Sequence, residues 1–243
     1  MYADDLILLS ASVIDLQKML HLCDSIGTMP GLNFNALTSK CLFIGPNQNI
    51  LPANLSLGNF QLPWVKELDY LGIRLINAKT FQIDLSCIRR KFFASVNSIL
   101  SRCCYTSDMV KLKLLESHCL PILLYATESL NLPKTQILEL NSWWNSVYRN
   151  FFNYNKWESV RTLISMLDRL DLCHIINLKS LSFIIRMSNC INVPDSFRSY
   201  FLNHYNVSNE YATLFMKFDC YGLKSIYEVR SSIYNVFKIS CTS

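Results

Sequence analysis

Tyr2-Ala3-Asp4-Asp5 runs directly into Leu6-Ile7-Leu8-Leu9, so two adjacent carboxylates stand at the mouth of a short apolar run. A run of this length, rich in branched residues, suits a buried strand. Aspartates are rarely kept in such surroundings unless they are paired or hold a metal. The pair reads as a turn that presents acid groups at a strand end, where a divalent cation can sit. Four residues do not carry that reading alone, because an acidic start ahead of an ordinary strand has the same letters. What stands downstream decides it.

Composition narrows the classes first. The chain has 243 residues, enough for one large domain or two smaller ones with a real core. Charged residues make up 17% and apolar ones 51%, which excludes a disordered chain. Only 6 Gly and 7 Pro occur, favouring helices over a loop-rich β-fold. No apolar stretch reaches the roughly 18 residues of a membrane span, and Asp4 and Asp5 stand where a secretory leader carries Lys or Arg. The expectation is an intracellular, soluble protein, nuclear or cytoplasmic, without a membrane partner. Ten cysteines are scattered with no C-x-x-C pair, so they are expected to be reduced small hydrophobes rather than zinc ligands or a disulfide framework.

Along the chain, Ser10 or Ser12 caps an expected helix to about Ile26, with Val13, Leu16, Met19 or Leu20, and Cys23 on its buried face. Leu32–Phe34 and Cys41–Ile44 read as strands around a polar stretch. Leu55 to Leu62 alternates about Gly58-Asn59, a hairpin pattern. Trp64 to Leu75 reads as one further strand. From Phe81 the period turns helical, with Leu85, Ile88, Phe92, Val96 and Ile99 as a stripe. Thr106-Ser107-Asp108 caps a helix expected to bury Val110, Leu114, Leu115 and Cys119 and to expose Lys111 and Lys113. Pro133 opens another to about Phe152, in which Trp143 and Trp144 fall at core spacing with Leu140, Val147 and Phe151. Residues 156 to 243 read as further helices with no chemical motif.

Charge is unevenly placed. Residues 76 to 113 carry 7 basic and 2 acidic side chains, whereas residues 1 to 75 carry 4 and 6. An acidic segment followed by a basic helical one can hold cations on the first and phosphates on the second. A solvated helix face has the same composition.

The whole pattern resembles the reverse transcriptase, or RNA-directed DNA polymerase, of non-LTR (LINE-type) retrotransposons, entered partway through the palm. Tyr2-Ala3-Asp4-Asp5 matches the family's Tyr-Ala-Asp-Asp box, Gly31 to Gly45 its extended Asn-x-x-Lys-Ser segment, and Tyr70-Leu71-Gly72 a strand element that helps grip the primer. The resemblance implies an α+β fold. Residues 1–78 are a partial palm (a small antiparallel sheet with a helix), 79–155 a mainly helical thumb, and 156–243 a helical C-terminal region. It implies two-metal nucleotidyl transfer with Mg2+ on Asp4 and Asp5, Tyr2 near the primer end, and an RNA template paired to a DNA primer as partner. Arg89, Arg90, Lys91, Lys111 and Lys113 are the expected contacts to the nucleic-acid backbone.

Two departures stand out. The family's third carboxylate lies well upstream of the box, so no polymerase activity is expected from this chain alone; Asp69 and Asp84 read as surface acids. Thr38 stands where the family has a lysine suited to a pyrophosphate or general-acid role. Either Lys40, two residues on and so on the same face of a strand, takes that part, or the part is lost. The alternative reading is a nucleic-acid-binding remnant that uses the basic thumb without catalysis.

Overall fold

The computed structural model describes residues 5–27, 34–46, 52–130, 132–189, 213–214, 216–218 and 225–242. The chain is α+β and divides into two compact units, Met1–Leu85 and Ser86–Ser243.

The first unit is built on helix α1, Val13–Gly27. The Ser12 hydroxyl accepts from the backbone N–H of Ile14 at 3.2 Å and of Asp15 at 3.4 Å, which satisfies two of the donors that a helix start leaves open. Leu20 is buried against Cys41, Leu55, Leu57 and Leu62, while Val13, Leu16 and Cys23 flank it; Met19, its alternative on that face, is 41% exposed. Strands β2 (Leu55–Leu57) and β3 (Phe60–Leu62) form the expected hairpin. Gly58 opens its two-residue turn with a φ of 56°, a position that suits Gly, and a Cβ there meets the Asp24 carboxylate at 3.3 Å. Gln17 reaches across from α1: its amide nitrogen donates to the Ser56 carbonyl and its oxygen accepts from the Ser56 N–H, both at 2.9 Å.

Several expectations fail in this unit, the single antiparallel sheet among them: the described strands form three separate two-stranded pairs, one of them parallel, and the Cys41–Ile44 strand shrinks to Cys41–Leu42. Leu6–Leu9 forms no strand; Leu6 and Leu9 face water, and Leu8 packs against the core. A strand exists through its ladder, and no described residue lies in register beside this run. Trp64 to Leu75 is not one strand either. It breaks into β4 (Trp64–Val65), parallel to β1 (Cys41–Leu42), and the antiparallel pair β5 (Glu67–Tyr70) and β6 (Ile73–Ile76).

The second unit is helical. Among the described residues its elements are α2 (Ser86–Arg102), α3 (Asp108–Leu114), a π-turn (Leu115–Cys119), α4 (Leu120–Leu124), α5 (Lys134–Phe151), α6 (Arg161–Met166), α7 (Leu172–Asn189) and α8 (Ile226–Thr242). Phe92 and Val96 of α2 are buried. The Phe92 ring meets Trp144 at 6.3 Å, and Trp144 meets Tyr148 edge-on at 5.5 Å, so the α5 tryptophans are core as their spacing implies. The π-turn has a local cause. Pro121 has no N–H, and its ring crowds the carbonyl four residues back, so the helix widens by one residue before it. Val110 is 48% exposed; the buried stripe is Leu112, Leu115 and Cys119 instead. Ser107 stands at the α3 N-cap, but its side chain makes no cap bond, and the Thr106 hydroxyl turns back to the Cys103 carbonyl at 2.8 Å.

The last helices close on a buried polar knot. Asp171 caps α7 by accepting from the His174 N–H at 2.9 Å and contacts the His174 ring Nδ1 at 2.6 Å. Burial pushes the Asp171 carboxyl up, but His174 and Arg161 outweigh it and hold it below the ordinary value. Val229, Ile233 and Phe237, four residues apart on α8, are fully buried, and the His174 ring lies 4.8 Å from Phe237. Among the described residues no helix is long and apolar enough to cross a membrane, and the cysteines are unpaired.

Replacing Phe92 by Ala is expected to cost about 3–5 kcal/mol, because it empties a ring-sized site that is 0% exposed. Asn97→Ala on the solvent side of the same helix is expected to stay within about 0.5 kcal/mol. Denaturant unfolding followed by near-ultraviolet dichroism of Trp143 and Trp144 measures both.

Candidate nucleic-acid interface

The acid doublet is placed only in part: Tyr2 and Asp4 lie outside the described residues, and Asp5 is exposed. Among the described residues no group of three or more His, Cys, Asp or Glu comes together in a way that could hold a metal. Magnesium takes near-octahedral oxygen ligands, and one exposed carboxylate is no such cage. The described residues therefore do not make up a magnesium site by themselves. The two later acids both belong to the surroundings of Arg74. Asp69 takes it in a two-pronged bond at 2.9 and 3.1 Å, and the Asp84 N–H donates to its carbonyl at 2.8 Å.

The segment expected to be extended around Asn35 is a turn. The Asn35 carbonyl accepts from the Thr38 N–H and hydroxyl and from the Ser39 N–H and hydroxyl, at 2.8 to 3.3 Å, and its side-chain oxygen accepts from the Leu37 N–H. Asn, Thr and Ser fold back on their own backbone in this way and so compete with strand pairing. Thr38 thus sits in a turn, and the two-residue strand period that would give Lys40 the same outlook does not apply. Lys40 is exposed, and its charge reaches Asp69. The rest of the expected segment, Gly31 to Asn33, lies outside the described residues.

Tyr70-Leu71-Gly72 is the tip of a hairpin rather than the middle of a strand. Tyr70 pairs with Ile73, and the two residues between them both have positive φ, 48° for Leu71 and 78° for Gly72. That combination matches the right-handed twist of the flanking strands, which explains the turn; a leucine in it is unusual and strained. Gly72 is needed for this backbone conformation. Leu71 is 36% exposed at the tip, and Asp69 faces Arg74 across the ladder one rung below the closing Tyr70–Ile73 pair.

The basic residues divide into two kinds. Arg89, Arg90 and Lys91 are exposed on α2, a helix without a single acid, and Arg102 is exposed at its end. The Arg89 guanidinium lies 5.8 Å from the Trp143 ring centroid, so part of this cation group is held against the core while staying in water. Lys113 is exposed as expected. Lys111 is not: its side chain is only 17% exposed and bonds to Asp108 at 3.4 Å, because the true buried stripe of α3 runs beside it. The sequence reading also passed over two aromatics, Tyr105 and Trp157, that stand almost wholly in water.

No family model, curated protein or solved structure matches this chain.

The hairpin tip yields two expectations. Leu71→Gly is expected to relieve about 1 kcal/mol of strain and Gly72→Val to add at least as much, both read from the urea midpoint of the first unit. The bond from Arg74 holds the Asp69 carboxyl below its ordinary value. Its contribution to stability is therefore present at neutral pH and fades only as pH falls through that depressed value. Carboxyl NMR should show a titration midpoint below the ordinary one, rising back toward it in Arg74→Ala.

Proposed function

We propose that this chain is the palm-and-thumb portion of an RNA-directed DNA polymerase of a non-LTR retrotransposon, and that it holds a template–primer duplex by its phosphates. The three sequence boxes in order support the family reading. The observation that carries the binding role is α2, on which Arg89, Arg90 and Lys91 stand in water with no acid on the helix. Phosphate contacts of this sort fix position and contribute affinity without reading sequence. The partner is an RNA template paired to a DNA primer, with the tip at Tyr70, Leu71 and Gly72 as the proposed primer contact. Asp4 and Asp5 supply two carboxylates of a magnesium site completed by residues from elsewhere, and no catalytic step is assigned to this chain by itself. Lys40 is an exposed cation whose charge reaches Asp69, one rung below the tip of the same hairpin.

A second reading, a binding module without catalysis, is favoured by one feature: the basic helix lies in a different compact unit from the acid doublet. Binding can then outlast the loss of the acids.

Binding to a labelled DNA–RNA hybrid is expected to weaken linearly in log Kd against log salt. Replacing Arg89, Arg90 and Lys91 together by Ala should reduce that slope by about one for each phosphate that is no longer neutralised. Lys111→Ala should change it little, since its partner is Asp108. A slope unchanged by the triple replacement defeats the binding role. Primer extension on an RNA template with magnesium by the chain alone contradicts both readings; extension restored by adding a polymerase fragment that supplies the missing carboxylate is expected under the first reading and not under the second.

A further inference from the structure

Between α5 and α6, seven consecutive residues, Asn153 to Ser159, are exposed and belong to no helix. Their conformation is nevertheless fixed by a closed set of bonds. The Asn155 N–H and side-chain amide donate to the two Glu158 carboxylate oxygens at 2.7 and 2.8 Å, and the Glu158 N–H donates back to the Asn155 carbonyl at 3.1 Å. The Arg149 guanidinium donates to the Glu158 carbonyl at 2.8 Å, and the Tyr154 N–H to the Arg149 carbonyl at 2.9 Å, which ties the turn to the end of α5. Asn153 enters the turn with a φ of 57°, a conformation that Asn tolerates better than most residues.

This rigid turn presents Trp157 with 87% of its surface in water. An indole left in water is unfavourable by itself, and here nothing about it is frayed. The Lys156 ammonium sits 4.9 Å from the ring centroid, over one face. Of its other neighbours in the turn, Asn153, Asn155, Glu158 and Ser159 are polar and Tyr154 alone is aromatic, 38% exposed, which argues against insertion into a lipid surface, where several apolar neighbours add to the anchor. A flat aromatic surface with a cation against it, held still in advance, suits a flat ring attached to an anion. Both Glu158 oxygens are already engaged by Asn155, so the one acid of the turn has its bonds made locally.

We propose that Trp157 is a stacking platform for an unpaired nucleobase, with Lys156 placed for the adjoining phosphate, and that the α5–α6 turn binds single-stranded nucleic acid. This rests on the nucleic-acid reading given above and adds a site for unpaired strand to the duplex-binding surface of α2. Stacking of this kind tolerates any base, and loss of one platform typically weakens binding severalfold to more than a hundredfold.

The test titrates the full chain with a fluorescent oligo-uridine single strand and, in a separate arm, with a blunt DNA–RNA hybrid. Trp143 and Trp144 are buried and Trp64 is partly buried, so the share of indole quenching that disappears in Trp157→Ala is the share that reports on Trp157. Trp157→Ala is expected to weaken single-strand binding about tenfold and to remove most of the quenching. Trp157→Phe should keep most of the affinity, and blunt-hybrid binding should be unchanged in both. Single-strand affinity that is the same in Trp157→Ala as in the parent overturns the proposal. So does a chain that binds the hybrid but not the single strand, which leaves the α2 reading standing. Failure to bind either one removes both.

Discussion

The burial of Phe92 against Trp144 is the constraint from which the second unit takes its orientation. Once that ring and Val96 are committed to the core, the 3.6-residue period of α2 leaves Arg90, Lys91 and Arg102 toward water. The cations need no carboxylate to hold them there. Trp143 supports Arg89 from the side, and Tyr148, whose hydroxyl is pushed up by burial and by the nearby Glu116 charge, continues the same aromatic seam along α5. Glu116 in turn bonds to Arg169, which fastens the π-turn to the segment leading into α7. A charged surface and an apolar interior are therefore two consequences of one packing choice.

Helix positions were the most legible part of the chain. The limits of α1 and α5 lie within a residue or two of those set by their caps and by Pro133, and the tryptophans fall where period alone puts them. The face of α3 was misread because Val110, Leu114, Leu115 and Cys119 also make a plausible stripe. The choice between that stripe and the one through Leu112 depends on which face packs against α2, a matter of tertiary fit that period alone does not set. Strands were harder for a different reason. Leu6–Leu9 has the composition of a strand but no partner among the described residues, and pairing is not a property of one segment.

The candidate site was legible as a set of residue types and less so as a geometry. That Leu71 and Gly72 turn the chain was hidden, since leucine is a poor signal for a left-handed backbone, although the opposite charges of Asp69 and Arg74 flanking them at hairpin spacing were there to be read. Thr38 invited a strand argument, but the side chains around it prefer to bond to Asn35. Trp157 escaped notice because aromatic residues are most often core. The signal against that was the polar company of Asn153, Asn155, Lys156, Glu158 and Ser159, with only Tyr154 as an aromatic neighbour within Asn153 to Ser159.

The grip of Gln17 on Ser56 has a further consequence. In the β2–β3 ladder, Ser56 is the residue whose backbone points away from β3, so its N–H and carbonyl would otherwise be open to an incoming strand. A helix side chain already occupies both with hydrogen bonds shaped like those of a neighbouring strand. Self-association through that margin of the hairpin must first displace an amide that is tethered to the same core. One glutamine thus acts as a stopper against the sheet growing from molecule to molecule.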